Sequence, residues 1–530
     1  MPTPTQPHQG SVVCPHYLAS AAGRRILHQG GSAVDAAVAV NAVLSVVYPH
    51  MTGLGGDGFW LIYQRQTNRV YGLNGSGRAG GQVTRQRFAE QGLTTIPQRG
   101  PKSVITVPGG VSAWASAQGR FGRLPWAQLL QPAIELAEAG YPVSASQAGW
   151  TRLNAPLLRD YSDRFLPFLP GGEPPQAGEI LTNPTLAATL RQLATGGPEA
   201  FYRGDIARQI VAYLKSLGGW LTEADFADHT STWVDPITTR YRGYTVGQLP
   251  PNTQGFTVLQ MLNLIEPFDL QAMGHGSADY YHLLVEATKL AFADRDRWLG
   301  DPAFHDIPLD QLISKGYSDR RRPRISMTQA QHPPAGRIGG DTVYSAVVDG
   351  EGNAVSVIQS LYFDFGSAVV PPGLGFALQN RGALFSLEAS HINALEPGKR
   401  PFHTLIPGLV LNGDGTPYLV LGTMGGEGQP QTQLALLTRV LDFGFTPQAA
   451  VELPRWVWGR TWGEANTGLT MEGRISATVR QELSHRGHPV NVAPDWTDKM
   501  GHAHMIRIDP MTQALTAGCD PRSDGAAPGL

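Results

Sequence analysis

The stretch DTVYSAVVDGEGNAVSVIQSLYFDFGS, residues 341–367, decides how the whole chain is read. Val343, Ser345, Val347 and Asp349 alternate with Tyr344, Ala346 and Val348, the period of two that predicts a half-buried strand. Residues 350–353, GEGN, then turn, and residues 354–361 run back as a second strand, so a β-hairpin is predicted. Ahead of it, Gly339-Gly340-Asp341 keeps the backbone permissive, and Thr342 opens a strand whose pleat fixes where its hydroxyl points. That placement suits a residue that becomes a chain terminus. With the bond after Asp341 cut, Thr342 would hold a free α-amine beside its own hydroxyl, and an amine of pKa about 8 is a usable general base near neutral pH. Taken alone, an ordinary strand threonine is the simpler reading.

The surrounding text changes that balance. Upstream stands PHMTGLGGDGF at 49–59. After Thr342 come VVD at 347–349, GNAVS at 352–356, FGS at 365–367, PGKRP at 397–401, GTMGG at 422–426, DFG at 442–444, PR at 454–455 and DPRSDGAA at 520–527. In this order the motifs resemble the γ-glutamyltranspeptidase (glutathione hydrolase) family of N-terminal-nucleophile hydrolases, in its short-lid, leaderless branch. The resemblance implies an α+β fold, a four-layer αββα sandwich. It also implies a large subunit of residues 1–341 and a small subunit of residues 342–530, which form one core together. Maturation would start with Thr342 Oγ attacking the Asp341 carbonyl; an N→O acyl shift and water would then release fragments of 341 and 189 residues from the 530-residue chain. By the same resemblance Thr342 is the nucleophile and Ser360 the hydroxyl that orients it. Gly425 and Gly426 would present N–H groups to the developing oxyanion, with no side chain between amide and substrate.

Specificity is where the chain departs from the family pattern. An arginine that clamps the substrate α-carboxylate is replaced by Ser76, with Arg78 two residues on. The second threonine after the nucleophile becomes Val343, an asparagine becomes Tyr362, and a glutamine becomes Arg381. The aspartate that would receive an α-ammonium becomes Leu384, and a serine pair becomes His403 and Thr404. The substrate-binding set expected by position is therefore Arg381, His403, Thr404, Tyr362 and Arg78. Burying an ammonium without a counter-charge costs several kcal/mol. Leu384 thus argues against a strong γ-glutamyl preference, whereas Arg381 and His403 suit an anionic acyl group without that amine. The segment between Phe385 and Lys399 is short, which suggests an open pocket and water as the favoured acceptor. The expected function is a self-processing amidohydrolase that cleaves γ-glutamyl or related acyl amides through an acyl-enzyme, with hydrolysis above transpeptidation. An acylase for glutaryl-type dicarboxylic amides is the alternative, and an unprocessed, silent binding homologue is the second.

Composition bounds the remaining classes. With 42% hydrophobic residues the chain can bury a large core. Its 41 Lys+Arg against 43 Asp+Glu give a net charge of −2, which offers nothing to draw nucleic acid or an anionic membrane surface. The longest apolar stretch, residues 33–48, is broken by Asp35 and Asn41 and is too short to span a bilayer. The first residues show no basic-then-apolar leader, so a cytoplasmic protein is expected. Cys14 and Cys519 read as small buried residues of a reducing compartment, with no support for a bridge between them. Neither H-E-x-x-H nor C-x-x-C occurs, so no metal or cofactor is expected. The partners are then a small amide or peptide substrate and the two fragments of the chain, and a homodimer of processed units is compatible with this reading. Helices are predicted at 18–30, 31–47, 126–140, 184–193, 205–217, 257–264 and 278–298. The charges of the last, Glu286, Lys289, Asp294, Arg295, Asp296 and Arg297, read as a solvated ion-pair face, and residues 320–340 as an exposed loop into the cut.

Overall fold

The computed structural model describes residues 10–160, 167–331, 341–459 and 468–526. The predicted hairpin is present as strands Asp341–Val348 and Ala354–Tyr362, with Ala354 opposite Val348 and Gln359 opposite Val343. It differs from the expectation in one respect: the first strand is buried on both faces rather than half-buried. The reason is its central position. Ser11–Val13 pairs along its other edge, Val343 and Val347 pack into a helical layer, and Tyr344, Ala346 and Val348 pack against a second sheet.

The first sheet runs Ser11–Val13, Asp341–Val348, Ala354–Tyr362, Asp57–Gln64, Arg69–Gly75, Thr232–Val234. The second runs Leu515–Cys519, Ala503–Ile508, Pro417–Thr423, Gly408–Leu411, Tyr244–Gln248, Ile237–Tyr241. All pairings within the two sheets are antiparallel. Between them lies an apolar layer that includes Phe59, Leu61, Tyr344, Ile358, Leu409, Val420 and Ile506. Outside the first sheet pack Tyr17–His28, Ala33–Val47, Gly110–Phe121, Trp126–Ala139 and Pro184–Tyr202; outside the second pack Gly255–Ile265, Ala278–Trp298 and Gln429–Leu441. The αββα order follows, and each sheet takes strands from both sides of the Asp341–Thr342 bond.

The helix Ala278–Trp298 has the predicted bounds but not the predicted environment. Glu286, Lys289, Asp294 and Arg295 are buried while Asp296 and Arg297 are exposed, so the solvated ion-pair face is corrected to an internal one for the first four. The helix is covered on several sides: Lys289 bonds Glu286 at 2.7 Å, Arg295 reaches Glu427 at 2.7 Å, and Arg321 reaches Asp294 at 2.6 Å. The stretch expected as an exposed loop begins inside the helix Lys315–Arg321, and Arg322 donates to the carbonyls of Leu264 and Asn263, both at 2.9 Å. Residues 332–340 lie outside the described residues. Cys14 and Cys519 are free and buried, and burial pushes the Cys14 thiol up to about 11. Among the described residues no helix is long and apolar enough to cross a membrane.

Candidate active site

Thr342 lies on the inner face of the first sheet, one pleat from Tyr344, and is 1% exposed. The register places Val343 opposite Gln359 and Asp341 opposite Tyr362, so Ser360 and Leu361 together face the single residue Thr342. This two-against-one bulge redirects the strand next to the nucleophile. It leaves Tyr362 at φ 87°, a left-handed conformation that is strained for an aromatic residue. The Tyr362 N–H donates to Ser360 Oγ at 2.7 Å, and its ring stacks on Phe363 at 4.4 Å. Thr342 Oγ1 accepts from Gln429 Nε2 at 3.5 Å. The glycine turn before the neighbouring strand is closely packed: a Cβ at Gly56 would lie 2.5 Å from Ser360 O, and one at Gly55 2.2 Å from Ala377 O.

Arg381 lies behind Ser360. Its guanidinium donates to Ser360 Oγ at 3.0 Å and to Thr404 Oγ1 at 3.2 Å, and sits 4.4 Å above the Tyr362 ring. It is fully buried, its Nε has no partner, and burial lowers its pKa to about 10. No carboxylate lies within ion-pair distance of it among the described residues. His403, also fully buried, presents Nε2 to Asp57 Oδ2 at 3.2 Å, while its Nδ1 has no partner. Burial, reinforced by Arg381 and Arg400, holds the imidazole well below its ordinary pKa, so it is neutral. Leu384 packs among Tyr362, Phe363 and Phe402.

Asp57 is a site residue that sequence reasoning missed. Its Oδ1 accepts from Gly77 N at 3.1 Å, Gly109 N at 3.0 Å and Gln379 Nε2 at 3.1 Å. Burial pushes its carboxyl up to about 6, opposed by Arg381 and these donors. The available signal was a single acid set between glycines just ahead of the apolar run FWLIY. Arg78, by contrast, is directed away: its guanidinium reaches Thr230 O at 3.5 Å. The cation next to Ser76 is Arg400 of the PGKRP motif, whose Nε donates to Ser76 O at 3.1 Å.

Gly425, at φ 120°, and Gly426, at φ 52°, lead into the helix Gln429–Leu441, and their N–H groups make no hydrogen bond among the described residues. Gln254, from the turn PPNTQG at 250–255, braces this loop. Its Nε2 donates to Gly426 O at 3.0 Å and Thr404 O at 2.8 Å, and its Oε1 accepts from Arg295, which is paired to Glu427. Gln254 therefore couples the glycine pair to the residue that holds Arg381. Gln254→Ala is expected to lower kcat by about tenfold to a hundredfold with KM changed less than about threefold, as steady-state kinetics would read.

One group among the described residues has the chemistry of metal ligands: His282, Glu286 and His488. Lys289 is set among them, 2.7 Å from Glu286 and 3.4 Å from His488 Nδ1, while His282 Nδ1 meets His488 Nε2 at 2.8 Å and its Nε2 meets Ser326 O at 2.6 Å. A chain of proton donors and acceptors accounts for these contacts.

Two sheets stacked between helical layers, with a hairpin threonine turned into the inner face and bonded to Gln429 at the head of a helix, define an N-terminal-nucleophile hydrolase. The chain belongs to the γ-glutamyltranspeptidase family, whose model matches residues 19–530. It is 50% identical to the glutathione hydrolase-like YwrD proenzyme of Bacillus subtilis over 521 residues, 98% of each chain. It is 42% identical to the oxamate amidohydrolase proenzyme of Klebsiella pneumoniae, again over 98% of each. Among solved structures it matches cephalosporin acylase from Bacillus halodurans with a TM-score of 0.93 and 38% identity, covering 100% of this chain and 97% of that one.

Proposed function

We propose that the chain matures by cutting itself between Asp341 and Thr342, and that the freed Thr342 hydrolyses amides of short acyl groups bearing a carboxylate. Arg381 carries this reading. A buried guanidinium without a carboxylate partner is costly, and this one is hydrogen-bonded to Ser360, the hydroxyl opposite the nucleophile. A substrate carboxylate would complete it and align the acyl carbonyl with Thr342. The Thr342 amine then takes the hydroxyl proton, Oγ attacks, Gly425 and Gly426 receive the oxyanion, and an acyl-enzyme forms with loss of the amine product. Water releases the acid, and the short segment 385–399 favours water over a bulkier acceptor. The relatives are named for glutathione, oxamate and cephalosporin chemistry, which supports a shared amide cleavage rather than one of those substrates. Residues 1–341 and 342–530 are the two fragments of this reading.

The test pairs intact mass with a substrate panel. The wild type is expected to give two fragments, the smaller beginning at Thr342, and to turn over γ-glutamyl or glutaryl anilides about 100-fold faster in kcat/KM than acetyl anilide. Arg381→Leu should remove most of that advantage, about the worth of a charged hydrogen-bonded contact. A wild type that stays at 57.0 kDa, or one indifferent to the carboxylate, overturns the proposal.

A further inference from the structure

The site proposed for this hydrolase includes two partnerless polar atoms on fully buried side chains, Arg381 Nε and His403 Nδ1. Arg381 can only donate. What His403 offers depends on Asp57. Three donors, Gly77 N, Gly109 N and Gln379 Nε2, converge on Asp57 Oδ1, which leaves Oδ2 facing His403 Nε2 at 3.2 Å. A carboxylate accepts, so the imidazole proton belongs on Nε2 and Nδ1 carries a bare lone pair. The ring is neutral for the reason given above, and the edge of Phe59, centroid to centroid 4.6 Å, fixes its plane. Arg381 is bonded to Thr404, the residue next to His403, and its charge acts on the imidazole, so guanidinium and lone pair belong to one buried cluster.

We propose that Asp57 is a specificity-determining positioning residue: by fixing the proton on His403 Nε2, it gives the acyl subsite a hydrogen-bond acceptor beside the Arg381 guanidinium. Acyl groups with an ammonium or hydroxyl donor next to their carboxylate are then preferred over those with the carboxylate alone. The acceptor stands in for the carboxylate absent at Leu384, and the Asp57 charge behind the imidazole balances an ammonium in front of it. This inference rests on the proposed amidohydrolase reading and reverses the expectation that an amine-free acyl group fits best.

Three anilides test it on the processed protein: γ-glutamyl, 2-hydroxyglutaryl and glutaryl, which differ only in the group next to the carboxylate. The two donor-bearing substrates are expected to exceed glutaryl by about tenfold or more in kcat/KM. In Asp57→Asn the side-chain amide can donate to Nε2 and move the imidazole proton to Nδ1, so the ratio should fall to within about threefold of one; His403→Leu should do the same. A general structural defect would slow all three substrates together. Equal wild-type turnover, or a ratio untouched in both variants, overturns the proposal. Processing into two fragments reports that each variant has folded. Should neither variant process, calorimetry on the wild type decides: L-glutamate is expected to bind about tenfold tighter than glutarate, and equal binding overturns the proposal. If neither glutaryl nor γ-glutamyl anilide outruns acetyl anilide, the Arg381 reading itself has failed, and this inference with it.

Discussion

Thr342→Ala is expected to leave one chain of 57.0 kDa and no measurable amide hydrolysis, a loss on the order of 10⁶-fold in kcat. In the proposed reading one atom, Oγ1, would serve in both reactions, attacking the Asp341 carbonyl in maturation and the substrate carbonyl in turnover. Its removal cannot be compensated by water, because Thr342 is 1% exposed and its neighbours Ser360 and Gln429 are fully buried. Thr342→Ser is the informative companion. It keeps the hydroxyl but loses the β-branch that restricts χ1, so maturation should proceed about tenfold more slowly and still yield a fragment starting at residue 342. Intact mass against time after purification reads both variants. A Thr342→Ala chain that still splits at this point would move the nucleophile elsewhere, with Ser360 the first residue to replace.

The second large effect is on stability and lies away from the chemistry. The PR and DPRSDG motifs meet in one buried network: Asp520 pairs with Arg455 and with Arg522, and Arg522 with Glu472 at 2.6 Å. All four side chains are at most 1% exposed. Burial raises the Asp520 carboxyl, but the two guanidinium groups more than offset this and hold it well below the usual carboxylate range. Asp520→Ala leaves two buried arginines short of a partner and should destabilise the protein by about 3–5 kcal/mol. Glu135→Ala, which breaks the Arg25–Glu135 pair with side chains 45% and 43% exposed, should cost less than about 1 kcal/mol. Urea-unfolding midpoints of the two variants test the contrast, and similar shifts would refute it. A depressed carboxyl pKa gives stability that is present above the ordinary value near 4 and lost as pH falls below it. The Asp520 contribution should therefore disappear on acidification, and the Asp520→Ala penalty should shrink with it.

Much of this architecture was legible because local pattern and burial agree. The hairpin at 341–362 could be read from its alternation and its GEGN turn, and the helix at 278–298 from its length. Its environment was not legible. Glu286 and Asp294 resemble surface charges until Arg321 and Gln331 are seen to fold over them from other parts of the chain. The site divides in the same way. Thr342, Ser360, Arg381, His403 and Thr404 are positions that motif order brings to attention, and they lie close together. Asp57 and Gln254 do not stand out, because each acts through partners distant in the sequence, His403 for one and Thr404 for the other, and no local period records such a contact. Arg78 is the converse case: near in sequence to the expected clamp, it is turned toward Thr230 by the end of its strand at Gly75.

Because each sheet draws strands from both sides of the Asp341–Thr342 bond, the proposed cut would not divide the protein into units that could live apart. The precursor folds as one molecule, and its stability does not depend on its concentration. After such a cut, the same fold would be an association of two chains with no separate cores, so complete unfolding would release two partners that must meet again in solution. Dilution, harmless to the precursor, then opposes recovery of the mature form. On the proposed reading maturation would work as a ratchet: folding would come first, while the chain is still continuous, and the active molecule could not be rebuilt from its parts on the same terms.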